Sequence, residues 1–412
     1  MATTGSLRRQ LGVGDAVVVG VGSMIGAGVF AAWAPAADAA GTGLLLGLVI
    51  AAAVAFCNAT SSAQLAAVHP ESGGTYVYGR RRLGPGWGHL AGWGFVVGKT
   101  ASCAAMALTV GAYLWPERER MVAVAAVVAI TAVNLGGLTR TVAVTRVLLV
   151  VSIGALAAVV WAGWTSDAAD LDRIVPLDGS VLDVLRSAGL LFFAFAGYAR
   201  IATLGEEVRD PAVTIPKAVP RALFVVLAVY AVVGVTALAT VDATVLAATD
   251  APLRLVADAG SNVSPGVVRV GAGIAALGVL LNLIPGVSRT TLAMARERDL
   301  PVWFARVDPA RSLPLRAELT VAAVVIVLVS TVSLRSAIAV SGVAVLTYYA
   351  VTNAAALALD ERERRWPRGI AVAGLVGCVV LIVALPPSAV VSGTAVLALG
   401  AGVRWVRGRR RP

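Results

Sequence analysis

Long apolar stretches, each about the length of a bilayer crossing, alternate with short charged connections along the whole chain. A membrane span needs roughly 20 mainly apolar residues, because the hydrocarbon core is ~30 Å thick and a helix rises about 1.5 Å per residue. Bounded by charge or by Pro and Gly, twelve such stretches fall near 15–38, 43–68, 87–114, 119–137, 142–165, 184–206, 217–241, 265–288, 317–334, 336–359, 369–385 and 388–406. They are rich in Ala, Val, Leu, Gly and Ile without polar alternation, which predicts helices and excludes an outer-membrane barrel. The fold class is an all-α polytopic membrane protein.

Composition agrees with that pattern. The 412 residues are 58% hydrophobic and 14% charged, with a mean hydropathy of +0.85, too few polar side chains to cover a soluble globule of this size. The formal charge of +11 would suit a nucleic-acid binder, but the basic residues sit between apolar runs. Positive charge instead orients the spans. One set of connections holds Arg8, Arg9, Arg80, Arg81, Arg82, Arg140, Arg146, Arg209, Lys217 and Arg221, and its later members run from Arg289 to Arg316, Arg362 to Arg368 and Arg404 to Arg411. The opposite set is poorer in Arg and carries Asp167, Asp170, Asp172, Asp178, Asp242, Asp250 and Asp258. Both termini are therefore expected on the cytoplasmic side of an inner membrane. The apolar stretch after Arg9 is longer than a signal core, is interrupted at Gly22-Ser23 and is followed by many spans, so it reads as a span.

Chemistry is sparse. Cys57, Cys103 and Cys378 lie inside apolar runs and read as packing residues. His69 and His89 share one connection without metal-ligand spacing, and no nucleophile is paired with a base. No catalytic residue, metal or cofactor is expected.

Two spans are interrupted at their middles. The first reads Gly22-Ser23-Met24-Ile25-Gly26-Ala27-Gly28-Val29-Phe30, with glycines that weaken a helix and bare its backbone; Gly22 and Gly26 also match a small-xxx-small packing motif. The sixth reads Phe192-Phe193-Ala194-Phe195-Ala196-Gly197-Tyr198-Ala199-Arg200. Five spans separate them, so the second runs opposite to the first, as in an inverted repeat with discontinuous central helices. Amides around Gly26 to Gly28 would receive a carboxylate and nearby free carbonyls an ammonium, which together suit a zwitterion.

These residues carry a resemblance to the amino acid–polyamine–organocation permeases that covers nearly the whole length. Its motifs are the two interruptions, then Gly205-Glu206-Glu207-Val208-Arg209-Asp210-Pro211 with Ile215-Pro216-Lys217, the run from Ser288 to Pro301, and Pro70-Glu71-Ser72-Gly73-Gly74-Thr75-Tyr76. The resemblance implies one transport domain over 1–412, with a first repeat at 15–165, an inverted repeat at 184–359 and two extra spans at 369–406. It implies alternating access around a central site in which Ser23, Met24, Ile25, Gly26, Ala27 and Gly28 meet the substrate on one side and Phe195, Ala196, Gly197 and Tyr198 on the other.

The chain departs from the family in its charges. Ala199 and Arg200 stand where many relatives carry an acidic residue, and Ser152 stands where proton-coupled members often have a lysine. Lys99 instead lies deep in span three, at a cost of roughly 2.5–3.5 kcal/mol on insertion scales. A desolvated lysine loses its proton near neutral pH, which makes Lys99 a candidate proton carrier; with Arg200 it would alternatively select an anionic substrate. Asp15, Glu206 and Glu207 are gate candidates, with Arg200 as an ion-pair partner. The expected function is proton-driven uptake of an amino acid, with ion-independent exchange and non-transporting sensing as alternatives. The partners are the small-molecule substrate, the proton and the lipid bilayer, with no nucleic acid.

Overall fold

The computed structural model describes residues 11–69, 73–136, 142–175, 177–198, 201, 208–260, 263–308 and 313–409. Among them every regular element is helical, and backbone pairing outside helices is limited to two isolated bridges, Leu11 with Val208 and Asp308 with Leu313.

In chain order the helices are α1 (Val13–Met24), α2 (Ala27–Ala31), α3 (Trp33–Ala40), α4 (Leu44–Val68), α5 (Thr75–Arg82), α6 (Pro85–Leu114), α7 (Glu119–Leu135), α8 (Val142–Trp164), α9 (Val181–Phe195), α10 (Pro211–Thr240), α11 (Ala243–Ala247), α12 (Pro252–Ala259), α13 (Pro265–Arg296), α14 (Leu315–Thr331), α15 (Leu334–Leu357), α16 (Arg368–Ala384) and α17 (Pro387–Arg409). Each predicted span has a helix at its position. Nine stretches among the described residues are long and apolar enough to cross a membrane, while α7, α14 and α16 have 17 residues each. The protein is a multi-pass, all-α membrane protein.

Polar residues inside these spans are accommodated locally. Ser62, Thr100, Thr109, Ser152, Thr236 and Ser288 each donate to a carbonyl one turn back in their own helix, which satisfies the hydroxyl where no water is at hand. Apolar side chains meanwhile face outward along the spans, among them Val49, Val150, Trp161, Phe224, Val383 and Leu399. In water such a surface would aggregate; against acyl chains it is the solvated state.

Two groups of helices organise the interior. In one, α1, α4, α9 and α10 pack together; in the other, α6 packs on α7, α13 and α14. Helix α8 touches α1 and α10 on one side and α13 on the other, and α15 touches α4 and α9 on one side and α6 on the other. The site described next lies where the first group meets α6 and α15.

Candidate functional site

Helix α1 stops inside the molecule. The Ile25 amide still reaches Val21 O at 2.7 Å, but the Gly26 amide turns back to Met24 O at 2.8 Å, and Ile25 has φ −76° and ψ 78°. That is an inverse γ-turn centred on Ile25. Gly26 is extended, at φ −138° and ψ −151°, before α2 begins at Ala27. The first amides of α2 consequently have no helical acceptor behind them.

Helix α9 ends at the same depth. It gives way to a 3-10 turn over Ala196–Tyr198. A Cβ on Gly197 would lie 2.1 Å from Ser23 O and 2.8 Å from Met24 N, so the two breaks touch backbone to backbone. Gly28 is seated as closely, with a Cβ position 2.8 Å from Ala194 Cα.

Side chains from other helices cap the bared carbonyls. The Tyr230 hydroxyl, on α10, lies 2.7 Å from Met24 O and 3.0 Å from Ala194 O, tying the two broken helices together. Lys99, on α6, donates from Nζ to Ala196 O at 3.1 Å, and Tyr349, on α15, donates to the same oxygen at 3.3 Å. A carbonyl has two lone pairs, so these two donors fill it. Tyr198 stacks on Tyr349 with ring centroids 4.9 Å apart, and its buried hydroxyl is hydrogen-bonded to that of Tyr349. Beside Lys99, Ser102 and Ser341 share a hydroxyl contact of 2.8 Å between α6 and α15. Lys99 is 7% exposed and forms no ion pair among the described residues.

The structure thus brings Ser23, Met24, Ile25, Gly26, Gly28, Phe195, Ala196, Gly197, Tyr198 and Lys99 to one locus. Ala27 opens α2 in the same segment. Ser152 is buried on α8 with its hydroxyl turned to Leu148 O. Arg200, Glu206 and Glu207 lie outside the described residues. Asp15 does pair, but with Arg146 of α8 at 2.5 Å, a partner the sequence reading did not assign. The adjoining backbone is joined where the Arg209 amide donates to Leu11 O at 2.9 Å. Tyr230 and Tyr349 were also missed; Tyr230 appears in the sequence as a single aromatic in an apolar run and Tyr349 as the second of the pair Tyr348-Tyr349, with nothing to mark the facing side.

Below the same end of the molecule lies a buried carboxylate. Asp299, 4% exposed, accepts from the Tyr76 hydroxyl at 2.8 Å, from Arg80 at 3.1 Å and from Arg404 of α17. His89 Nδ1 is 3.9 Å away, and its Nε2 meets Gly400 O at 3.0 Å. Burial, and then the bond to Asp299, push the Tyr76 phenol above its ordinary range. His89 is therefore an interior residue of α6 rather than part of a connection, and among the described residues no group of three His, Cys, Asp or Glu is placed to hold a metal. At the opposite end, Arg335 bridges Asp38 at 3.4 Å and Asp250 at 3.6 Å, near a polar cavity of about 360 Å³ lined by Asp38, Thr42, Arg173, Asp178 and Asp242.

Comparison with known proteins adds the family. The family described as amino acid permease matches residues 11–401. An uncharacterized transporter of Mycobacterium tuberculosis is 59% identical over 97% of this chain and 92% of its own length. A branched-chain amino acid permease of Bacillus subtilis is 25% identical over 91% of this chain and 86% of its own. The chloroplastic cationic amino acid transporter 7 of Arabidopsis thaliana is 26% identical over 76% of this chain and 58% of its own.

Proposed function

Because the chain belongs to the amino acid permease family, we propose that it is a secondary carrier of neutral α-amino acids, working by alternating access around the paired breaks of α1 and α9. The observation that carries this reading is the contact of Gly197 with the Ser23–Met24 backbone, which sets free amides and bared carbonyls side by side at membrane depth. A carboxylate suits the first amides of α2, and an ammonium suits the Ala196 carbonyl. The branched-chain permease of Bacillus subtilis, similar over most of both chains, makes branched aliphatic amino acids the first candidates.

In the proposed cycle the group of α1, α4, α9 and α10 rocks against α6, α7, α13 and α14, with α8 and α15 as the elements that follow either side. The repeats at 15–165 and 184–359 would supply the two halves, with 369–406 as an addition. The basic end carrying Asp15, Arg146 and Asp299 is assigned to the cytoplasm on positive charge. The proton is the proposed coupling ion and Lys99 the group that binds it. One charge crossing 100 mV supplies about 2.3 kcal/mol, enough for a concentration ratio of roughly 50-fold.

The experiment is uptake of a radiolabelled amino-acid panel by proteoliposomes, with and without a proton gradient, in wild type and Lys99→Ala. Saturable transport of a neutral amino acid that responds to the gradient, and loses that response in the variant, supports the reading. Gradient-independent transport that needs amino acid preloaded inside makes the protein an exchanger without ion coupling. Absence of transport for every amino acid overturns the carrier reading in favour of a sensor.

A further inference from the structure

The carbonyl best placed to receive a substrate ammonium is already held by the amine of a lysine of the protein itself. Ala196 O accepts from Lys99 Nζ at 3.1 Å and from the Tyr349 hydroxyl at 3.3 Å, which uses both of its lone pairs. We infer that Lys99 is a tethered stand-in for the substrate amine, so that proton and substrate exclude one another and are exchanged across the membrane rather than carried together. This rests on the carrier reading above and fixes the sign of its coupling.

The argument is one of charge. A second ammonium arriving at Ala196 O would stand within a few ångströms of the first, in a site walled off from water. No carboxylate among the described residues pairs with Lys99 to offset the added charge. Among the described residues, the titratable groups beside it are the Tyr349 hydroxyl from α15, which shares Ala196 O, and the Cys103 thiol one turn along α6. Tyr349 is neutral and can remain; Lys99 must release the carbonyl. It does so by giving a proton to water on whichever side the site is open. The Nζ–H bond breaks, its electron pair stays on nitrogen, and the substrate brings an ammonium already formed.

Two ligands that exclude each other at one site have negative coupling, and linkage makes the effect reciprocal. Loading on one side ejects a proton there, and unloading on the other side recharges Lys99 from that side. One substrate therefore moves against one proton. The sequence alone suggested the opposite sign, with the proton accompanying the substrate inward.

The test uses full-length protein in proteoliposomes holding a trapped pH dye, with the membrane potential clamped, and a branched-chain amino acid added outside. The expected result is a rise in lumenal pH that scales with uptake. Apparent affinity should improve up to about tenfold per pH unit over the range in which Lys99 stays protonated. In Lys99→Met, which has no proton to exchange, the uptake that remains should carry no pH signal and its affinity should no longer vary with pH. Lys99→Arg, whose cation cannot be discharged, should block uptake while melting like wild type. A fall in lumenal pH during wild-type uptake, or uptake with no proton movement, overturns the inference and leaves the carrier intact. No uptake of any amino acid overturns the carrier reading itself.

Discussion

Gly197 has less room than its neighbours suggest. A methyl group there would fall 2.1 Å from Ser23 O and 2.4 Å from the same residue's carbonyl carbon, both backbone atoms that cannot rotate away. Overpacking of this kind costs about 1–3 kcal/mol, so Gly197→Ala should cut initial uptake at least about tenfold by separating the two breaks. Gly154→Ala on α8, where nothing lies within 4 Å of the added methyl, should leave uptake unchanged. Removing the Tyr230 hydroxyl acts on the same contact from another side. Tyr230→Phe strips the donor from Met24 O and Ala194 O and should lower thermal stability by about 1–2 kcal/mol, read as a drop in melting temperature with transport slowed. At this scale the glycines were legible in the sequence, because Gly22, Gly26 and Gly28 in one span and Gly197 in another break an otherwise helical pattern. The tyrosines were not. An aromatic in an apolar span looks the same whether it faces lipid, a neighbour or a substrate, and only the packing of α10 and α15 turns Tyr230 and Tyr349 inward.

Among elements, the join between α1 and α8 is the exposed one. Arg146 holds Asp15 at 2.5 Å with their side chains 57% and 30% exposed, so the pair contributes about 0.2–1 kcal/mol, enough to bias a conformational equilibrium without defining it. Asp15→Asn should open the site toward that end. The check is labelling of Ser23→Cys by a membrane-impermeant thiol reagent, with Cys57, Cys103 and Cys378 replaced, and the expected rise is about two- to fivefold. If labelling does not change, Asp15 is not part of a gate. Element positions were the most legible feature of the sequence, since a membrane span must be long, apolar and helical. The grouping of spans was not legible from periodicity, because apolar faces packed on protein and on lipid have the same composition. Arg146 was passed over for a related reason: as one of many basic residues at that end, it was explained by topology before a partner was sought.

Taken as a whole, the molecule is held at its basic end by charge. Asp299 gathers Tyr76, Arg80 and Arg404 from the connection before α6 and from α17, and Arg82 donates to Glu363 at 2.6 Å from the connection before α16. Asp299→Asn leaves those donors short of a buried anion and should destabilise the protein by about 3 kcal/mol, seen as a lower melting temperature in detergent. The Arg82 bond is the chief reason that the Glu363 carboxyl titrates below its ordinary value of 4.5. A depressed carboxyl stabilises the fold above its unfolded value and loses that contribution as pH falls through the folded one. Glu363→Gln should therefore melt about 1 °C below wild type at pH 7, and the gap should close below about pH 4. Equal gaps at both pH values would show that the charge of Glu363 is not what matters.

The seating of Arg404 also bears on how the protein is made. Tyr76, Arg80, His89 and Asp299 all leave the ribosome before α17, so the nascent chain holds that carboxylate with Arg80 but without Arg404 until α17 has been inserted. Arg404 is thus the last of the partners of Asp299 to be made, and it closes the basic end of the scaffold.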